Sequence, residues 1–140
     1  MELPITGGCI CKSIRYECSV APLGMGNCHC RDCQYSSGNS HSSVFAMPVG
    51  AVKITGKPKY YESLSDDGIK VWRGFCPECG SPLFAMNDVY KENIIAIKVA
   101  TLDDPSWFKP TVDIWISSAQ PWDILSPDTV KFDKEPVMEK

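Results

Sequence analysis

Three short cysteine clusters constrain the fold of this chain more than any other feature of its sequence. Seven of the eight cysteines lie in them: Cys9-Ile10-Cys11, Cys28-His29-Cys30-Arg31-Asp32-Cys33 and Cys76-Pro77-Glu78-Cys79-Gly80. Eight cysteines in 140 residues are fewer than a secreted disulfide scaffold carries, and the N-terminus shows no signal-peptide pattern. The clusters therefore predict metal binding in a cytoplasmic protein rather than a disulfide framework.

The third cluster has the sequence of a zinc knuckle. Pro77 fixes one backbone φ angle, and Gly80 allows the positive φ that follows, so that backbone N–H groups can point at the two sulfur atoms. The alternative is a redox-active cysteine pair at the start of a helix, as in thioredoxin-like proteins. Gly80 and Pro82 would break such a helix at once, so the sequence favours zinc.

A structural zinc ion takes four protein ligands, so Cys76 and Cys79 need a second pair. Cys9 and Cys11 can supply it, because two cysteines separated by one residue can aim both sulfur atoms at one ion. The remaining cluster then offers three thiolates and an open position, the arrangement typical of catalytic zinc. We therefore expect two zinc ions per chain, a structural ion held by Cys9, Cys11, Cys76 and Cys79 and a catalytic ion held by Cys28, Cys30 and Cys33.

Other partitions of the ligands remain open. His29 could complete the three-cysteine site, although it lies between two of the ligands and would have to bend back sharply. Cys28 and Cys33 could instead join the knuckle and leave the first cluster idle, and His41 could reach a metal only if its loop folds toward it. Cys18 ends an alternating segment, where an isolated cysteine is more often a small buried hydrophobic residue.

Short segments of alternating polar and apolar residues dominate the rest of the chain. The strands predicted in this way are 13–18, 44–47, 52–54, 59–62, 69–75, 94–99 and 111–116. Turn sequences such as Gly7-Gly8 and Pro22-Leu23-Gly24 separate them, and helical signal is limited to one or two turns over 31–37 and a turn near 88–92. This pattern predicts a mainly β fold, a sandwich or a barrel-like structure.

The length of the chain favours a single domain, and no linker or repeat divides it. We expect a zinc-binding β domain over residues 1–127 and a charged C-terminal tail over 128–140, with Val130 and Phe132 packed against the body. A net charge of −3 and a pI near 5.3 disfavour nucleic acid and anionic membranes as partners. The longest apolar runs are far shorter than the roughly 18 residues of a membrane span.

The clusters and their surroundings resemble the glutathione-dependent formaldehyde-activating enzyme family from about Ile5 to Trp122. The resemblance rests on Gly8-Cys9-Ile10-Cys11, the second cluster followed by Ser37-Gly38, Phe75-Cys76-Pro77-Glu78-Cys79-Gly80-Ser81-Pro82-Leu83, Thr101-Leu102-Asp103-Asp104-Pro105 and Ile114-Trp115-Ile116-Ser117-Ser118-Ala119-Gln120-Pro121-Trp122. It implies a β-tent fold, two layers of antiparallel strands pinned by zinc, and the same division into structural and catalytic zinc. The chain departs from the family at Asp113, where members often have a histidine, and at Lys12, where a glycine is common.

The activity that the resemblance implies is that of a carbon–sulfur lyase, which joins formaldehyde to glutathione as S-hydroxymethylglutathione or releases it. Three thiolates and one Zn²⁺ carry a net charge of −1, which favours a small thiol as the fourth ligand, and binding to the metal lowers the pKa of that thiol. We expect the proton donor for the hydroxymethyl group among Asp32, His29, Ser37 and His41, and Arg31 as a partner for a substrate carboxylate.

Three alternatives to these roles stay open. Arg31 and Asp32 could be solvated or could cap the short helix. The chain could be a non-catalytic zinc-binding module that contacts another macromolecule, although the odd number of thiolates in the second cluster argues against two purely structural sites. It could also be a redox sensor, in which the cysteines of the second cluster release zinc and form a disulfide.

Overall fold

The computed structural model describes residues 1–136. Within them the chain forms one α-helix, α1 (Arg31–Ser37), and eleven strands: β1 (Ile5–Gly8), β2 (Arg15–Cys18), β3 (Gly24–Cys28), β4 (Ser42–Pro48), β5 (Val52–Thr55), β6 (Lys59–Leu64), β7 (Lys70–Phe75), β8 (Pro82–Asn87), β9 (Ile94–Lys98), β10 (Val112–Ile114) and β11 (Val130–Lys131). Short 3₁₀ turns cover Val49–Ala51, Val99–Thr101, Pro105–Trp107 and Ile116–Ser118. The predicted mainly β fold is confirmed.

The strands form two sheets. The small sheet has the order β1-β2-β5, and the large sheet has the order β11-β10-β3-β4-β9-β8-β7-β6. Most neighbouring strands are antiparallel, as predicted, but β10 runs parallel to both β3 and β11. More than eighty residues separate β3 from β10, which is enough chain for the crossover that a parallel pair requires.

The core lies between the two sheets. Phe45 and Met47 on β4 are fully buried, with one residue between them, as the alternating sequence pattern of a half-buried strand predicts. Tyr16 of the small sheet packs edge-on against Phe84 of the large sheet, with the ring centroids 5.8 Å apart. Burial of these large side chains removes apolar surface from water and holds the two layers together.

The prediction of a turn at Gly7-Gly8 was wrong, because both glycines belong to β1. Gly7 lies against the Tyr16 hydroxyl and the Thr101 carbonyl, and a Cβ atom at this position would collide with both. Glycine is required here for a close approach between chain segments rather than for a turn.

The predicted strand over 111–116 is shorter than expected. The strand β10 ends at Ile114 because Trp115 has a left-handed backbone with a φ of 58°, which starts the next 3₁₀ turn. The segment predicted as a charged tail begins with contacts to this strand: Val130 and Lys131 form β11 beside β10, and the Thr129 hydroxyl donates to Asp113. The expectation that the Val130 side chain packs against the body was wrong, because pairing at the sheet edge leaves this residue 59% exposed. The end of that tail, residues 137–140, lies outside the described residues.

The short helix predicted after the second cysteine cluster is confirmed. The backbone N–H of Cys33 donates to the Cys30 sulfur at the start of α1, and Gly38 ends the helix with a φ of 70°. Both features are ordinary helix caps.

In the part of the chain that the structure describes, no helix combines the length and the apolar character that crossing a membrane requires.

Candidate metal centres and active site

The first centre brings together two cysteine pairs that are distant in sequence. Cys9 and Cys11 follow β1, whereas Cys76 and Cys79 occupy the turn between β7 and β8. The four sulfur atoms lie within 4.8 Å of one another. The Cys9–Cys11 sulfur distance is 3.6 Å and the Cys11–Cys76 distance is 3.7 Å. A tetrahedral zinc with bonds of about 2.3 Å separates its sulfur ligands by roughly 3.8 Å, so this donor set fits zinc.

Backbone groups point at these sulfur atoms as the knuckle sequence predicts. The N–H of Ile14 donates to the Cys9 sulfur at 3.2 Å, and the N–H of Cys79 lies 3.5 Å from the Cys76 sulfur. Gly80 has a φ of 77°, the left-handed conformation for which glycine is suited. Lys12 has a φ of 68° in the matching turn of the first cluster, which explains why a glycine is common there.

Two serine hydroxyls further stabilise thiolates in this centre. The Ser81 hydroxyl, 3.2 Å from the Cys79 sulfur, lowers the pKa of that thiol to about 5. Burial disfavours the thiolate of Cys9, but hydrogen bonds from the Ile14 N–H and the Ser13 hydroxyl outweigh it and lower the pKa to about 7. Thiolates are the form that binds metal, so the surroundings of Cys9 and Cys79 favour a metal ion.

The second centre comes from one short segment. Cys28 ends β3, Cys30 caps α1 and Cys33 lies in the first turn of that helix, and the three sulfur atoms lie within 4.8 Å of one another. Hydrogen bonds from the Cys28 and Cys30 thiols lower the pKa of Cys33 to about 3, and the charges of Lys98 and Arg73 act in the same direction. Hydrogen bonds with Cys30 and Cys33 raise the pKa of Cys28. Three sulfur ligands could hold a metal ion with one position free.

A cavity of about 260 Å³ is lined by residues that neighbour both centres along the chain. Its lining includes Ser36 of α1 and Gly80 of the knuckle, together with two basic side chains, Arg73 and Lys98, and the apolar surface of Phe84. The Ser36 hydroxyl donates to the Cys33 carbonyl at 3.3 Å, so the cavity adjoins the helix turn that carries the second centre.

Lys98 is uncommon in the wall of a cavity because lysine is usually exposed, whereas this lysine is only 7% exposed. Its ammonium group donates to the hydroxyls of Ser42 and, at 3.4 Å, Ser36. The pKa of this lysine is lowered, because burial outweighs the nearby thiolates, Cys33 first, which would raise it. The strand pattern of β9 alone did not single out Lys98, because an inward-facing lysine resembles a lysine on the solvent face in sequence.

His29, considered above as a fourth zinc ligand, bonds away from the second centre. Its Nε2 lies 2.6 Å from Asp113 and its Nδ1 lies 2.6 Å from Asp123, and the imidazole side chain is 1% exposed. Burial alone would raise the pKa of Asp113, but hydrogen bonds from His29 and Thr129 lower it. The ring of His41 lies 4.9 Å from the His29 ring. Sequence analysis missed this cluster, although Asp113 stood out as a departure from the family pattern.

The other predicted side chains have local roles in the structure. Arg31 donates to Gln34 and lies over the ring of Tyr35, and Ser37 donates to the Gln34 carbonyl, so both belong to α1. Cys18 is fully buried in the core, and burial raises the pKa of its thiol to about 11. Asp32 lies half-buried in the first turn of α1.

Comparisons with known proteins bear on both the family and the fold. The family model described as "Glutathione-dependent formaldehyde-activating enzyme" matches residues 4–118 of the chain. Among solved structures, the crystal structure of a Rhodobacter sphaeroides protein is similar, with a TM-score of 0.55 at 14% sequence identity. That similarity covers 70% of this chain and 87% of the other, and it concerns the fold alone. No curated protein matches the sequence.

Proposed function

Because the chain belongs to the glutathione-dependent formaldehyde-activating enzyme family, we propose that it is a zinc-dependent carbon–sulfur lyase acting on a thiol–aldehyde adduct of the S-hydroxymethylglutathione type. The observation that carries the proposal is the three-cysteine centre beside a cavity with two basic side chains. In the forming direction, the thiol loses its proton, the sulfur bonds to the carbonyl carbon, and the former carbonyl oxygen takes up a proton. The reverse reaction breaks the same carbon–sulfur bond. Free thiols of this kind persist in the reducing cytoplasm, where we place the protein.

The two centres would have different tasks. Cys9, Cys11, Cys76 and Cys79 would hold a structural zinc ion, and Cys28, Cys30 and Cys33 would hold the catalytic one. A zinc ion with three thiolate ligands supplies an open position for a soft sulfur ligand and favours the ionised form of a thiol. The three cysteines fix that position at the start of α1, next to the cavity.

Lys98 and Arg73 supply the positive charge that the reaction needs. When the sulfur bonds to the carbonyl carbon, negative charge develops on the oxygen. A buried ammonium group stabilises such charge strongly, because little water screens it. Lys98 is held by the Ser36 and Ser42 hydroxyls in the cavity wall, which fits this role. The guanidinium of Arg73 can pair with a carboxylate of a peptide thiol such as glutathione.

The cavity volume bears on how glutathione would bind. Sites that enclose a drug-sized ligand have volumes of about 300–1,000 Å³, and this cavity has about 260 Å³. We therefore propose that the thiol end of the tripeptide enters the cavity while the remaining residues lie on the protein surface. This geometry predicts that smaller thiols also bind, with lower affinity because they lack the carboxylate contacts.

The test combines glutathione binding with turnover in the zinc-loaded protein. Calorimetric titration measures binding, and the rate of formaldehyde adduct formation or breakdown measures activity. We expect both in the wild-type protein and neither in Cys30→Ala. The matched control is Cys18→Ala, which removes a cysteine outside both centres and should keep binding and rate.

The outcomes separate the candidate functions. Binding and rate that are both lost in Cys30→Ala support the lyase. Binding without a catalysed rate contradicts the lyase reaction and leaves a thiol-binding module. A zinc-loaded wild-type protein that binds no thiol overturns the proposed function altogether.

A further inference from the structure

A second cluster of metal-binding side chains lies outside both cysteine centres. His29, His41 and Asp123 each offer one ligand atom, and these atoms lie within 4.8 Å of one another. The side chains of His29 and Asp123 are almost completely buried, whereas that of His41 is 31% exposed. The roles proposed above for Lys98 and Arg73 use none of these groups, and both ring nitrogens of His29, expected above as a candidate proton donor, are bonded to Asp113 and Asp123.

The ligand chemistry of the cluster differs from that of the cysteine centres. Two imidazole nitrogens and one carboxylate oxygen suit a divalent first-row transition ion, and two histidines with one carboxylate form a common three-ligand set with open positions. Metal–nitrogen bonds of about 2.0–2.1 Å place neighbouring ligand atoms roughly 3.4 Å apart. The Nδ1 of His41 lies 3.7 Å from the Oδ1 of Asp123, close to this spacing, and 3.0 Å from the Ser40 hydroxyl, which would give way to an ion. The Nδ1 of His29 lies 2.6 Å from the other oxygen, Oδ2, so these two atoms would separate by about 1 Å to admit an ion between them.

Asp113 supplies the outer partner that metal-bound histidines usually have. Its carboxylate lies 2.6 Å from the Nε2 of His29, on the opposite side of the ring from Asp123. A proton on Nε2 that is donated to Asp113 leaves the lone pair of Nδ1 facing the cluster, and such carboxylate–histidine pairs fix the ligand tautomer. Thr129 donates to the same carboxylate, and Lys131 donates to Thr129 at 3.1 Å, so Asp113 is itself held in place.

The charges of the cluster also fit a divalent cation. Asp113 and Asp123 bring two carboxylates into an almost fully buried space around one imidazole. A divalent ion bound between neutral histidines balances both negative charges, and buried charges are retained in proteins when they are paired or bind metal. The exposed side of His41 leaves an open side for water or another small ligand.

We propose that His29, His41 and Asp123 form a third metal site, which takes a divalent transition ion such as Zn²⁺ or Co²⁺, and that Asp113 positions His29. The site joins the two ends of the segment that contains α1 to Asp123, which follows the last 3₁₀ turn, through one ion. Its role is therefore distinct from both the structural and the catalytic centre, and it does not depend on the lyase reaction.

The test is a Co²⁺ titration of the full-length protein loaded with two equivalents of Zn²⁺, which fill the two cysteine centres and leave the third site open. Cobalt bound to thiolates gives an intense near-ultraviolet sulfur-to-metal charge-transfer band, whereas cobalt bound to nitrogen and oxygen gives only weak visible bands. We expect about one equivalent of Co²⁺ to bind with the visible bands alone. His41→Ala, at a partly exposed position, should weaken this binding at least tenfold, because one of three ligands is lost.

Two further variants make the result specific. Asp123→Asn should weaken Co²⁺ binding like His41→Ala, while Asp128→Asn removes an exposed carboxylate outside the cluster and should leave binding unchanged. Zinc content, measured by mass spectrometry, should stay the same at the cysteine centres in all variants. The proposal is overturned if the wild-type protein binds no cobalt, or if all the cobalt that it binds shows the charge-transfer band. It is also overturned if His41→Ala and Asp123→Asn bind cobalt as tightly as the wild type. Neither result depends on lyase activity.

Discussion

The two cysteine centres differ in how far apart their ligands lie along the chain. The four-cysteine centre joins Cys9 and Cys11 to a knuckle more than sixty residues later, whereas the three-cysteine centre takes all its ligands from residues 28–33. The first can form only when β1, β7 and β8 are already in place. The second needs little more than the end of β3 and the first turn of α1. The four-cysteine centre therefore links distant segments of the chain, whereas the three-cysteine centre is a local cluster near a cavity.

The groups that surround the two cysteine centres also differ. Serine hydroxyls and backbone N–H groups surround the four-cysteine centre and stabilise thiolates without adding formal charge. The charges of Lys98 and Arg73, which line a cavity, act on Cys33 of the three-cysteine centre. Neutral donors are sufficient to hold a metal ion, whereas cations beside an open cavity can also act on a substrate. This difference is the basis on which we propose a structural role for one centre and a catalytic role for the other.

The largest expected effect is loss of folding when the four-cysteine centre is broken. Cys76→Ala should leave the chain unfolded or aggregated, because structural zinc contributes about 10–16 kcal/mol in small zinc domains and whole domains have only about 5–15 kcal/mol of stability. Cys30→Ala should remain folded and lack one metal ion. Circular dichroism and zinc content of both purified variants check this. Equal loss of folding in both would mean that the three-cysteine centre is structural too.

The next effect is the order of metal loss. A chelator should remove the ion of the three-cysteine centre first, because it has fewer protein ligands and an open position. The experiment uses His41→Ala, so that only the cysteine centres are counted, and follows zinc release together with circular dichroism. We expect one zinc ion to leave while the fold is retained and the second to leave with unfolding. Simultaneous release of both ions would remove the distinction between the centres.

A smaller effect tests the backbone beneath the four-cysteine centre. A Cβ atom at Gly8 would collide with the Ile14 carbonyl, in the turn that presents Cys9, whereas Gly24 has open space around it. Gly8→Ala should therefore lower the free energy of unfolding by about 1–3 kcal/mol, the usual cost of overpacking, and Gly24→Ala should change it little. Urea unfolding of the zinc-loaded variants measures both. If the urea midpoints of Gly8→Ala and Gly24→Ala are similar, the turn at Gly8 rearranges to accommodate the added Cβ atom.

The smallest effect concerns an ion pair beside the same centre. Arg15 on β2 donates to Asp103 and, with Thr6, holds the pKa of that carboxyl below its ordinary value of 3.8. The pair is 39% and 49% exposed, so water screens it and it should contribute at most about 1 kcal/mol. That stability is present above pH 3.8 and is lost as the pH falls through the lower folded pKa.

Asp103→Asn measures this contribution. The variant should be slightly less stable than the wild type at pH 7, and the difference should shrink as the pH falls below 4 in urea unfolding experiments. The exposed Asp128→Asn serves as the matched control. A difference that stays constant down to pH 3 would mean that the charge of Asp103 does not contribute.

The sequence alone determined the features that depend on local spacing. The mainly β fold follows from short alternating segments such as Val44 to Met47, and the short helix follows from its position after the second cluster. The knuckle could be predicted because Pro77 and Gly80 impose their backbone angles without help from other segments. The grouping of the cysteines into four and three was predictable because zinc restricts the number and type of its ligands.

Only the tertiary structure decided which distant segments meet. The strand β3 contains Gly24 and Gly26, so it lacks the alternation that marks other strands, and its identity depends on its neighbours in the sheet. The parallel pairing of β10 with β3 aligns Ile114 with Cys28, which brings Asp113 to His29. Lys98 likewise gains its proposed role from burial against Ser36 of α1 and Ser42 of β4. These contacts depend on register and burial across more than fifty residues, and the local sequence specifies neither.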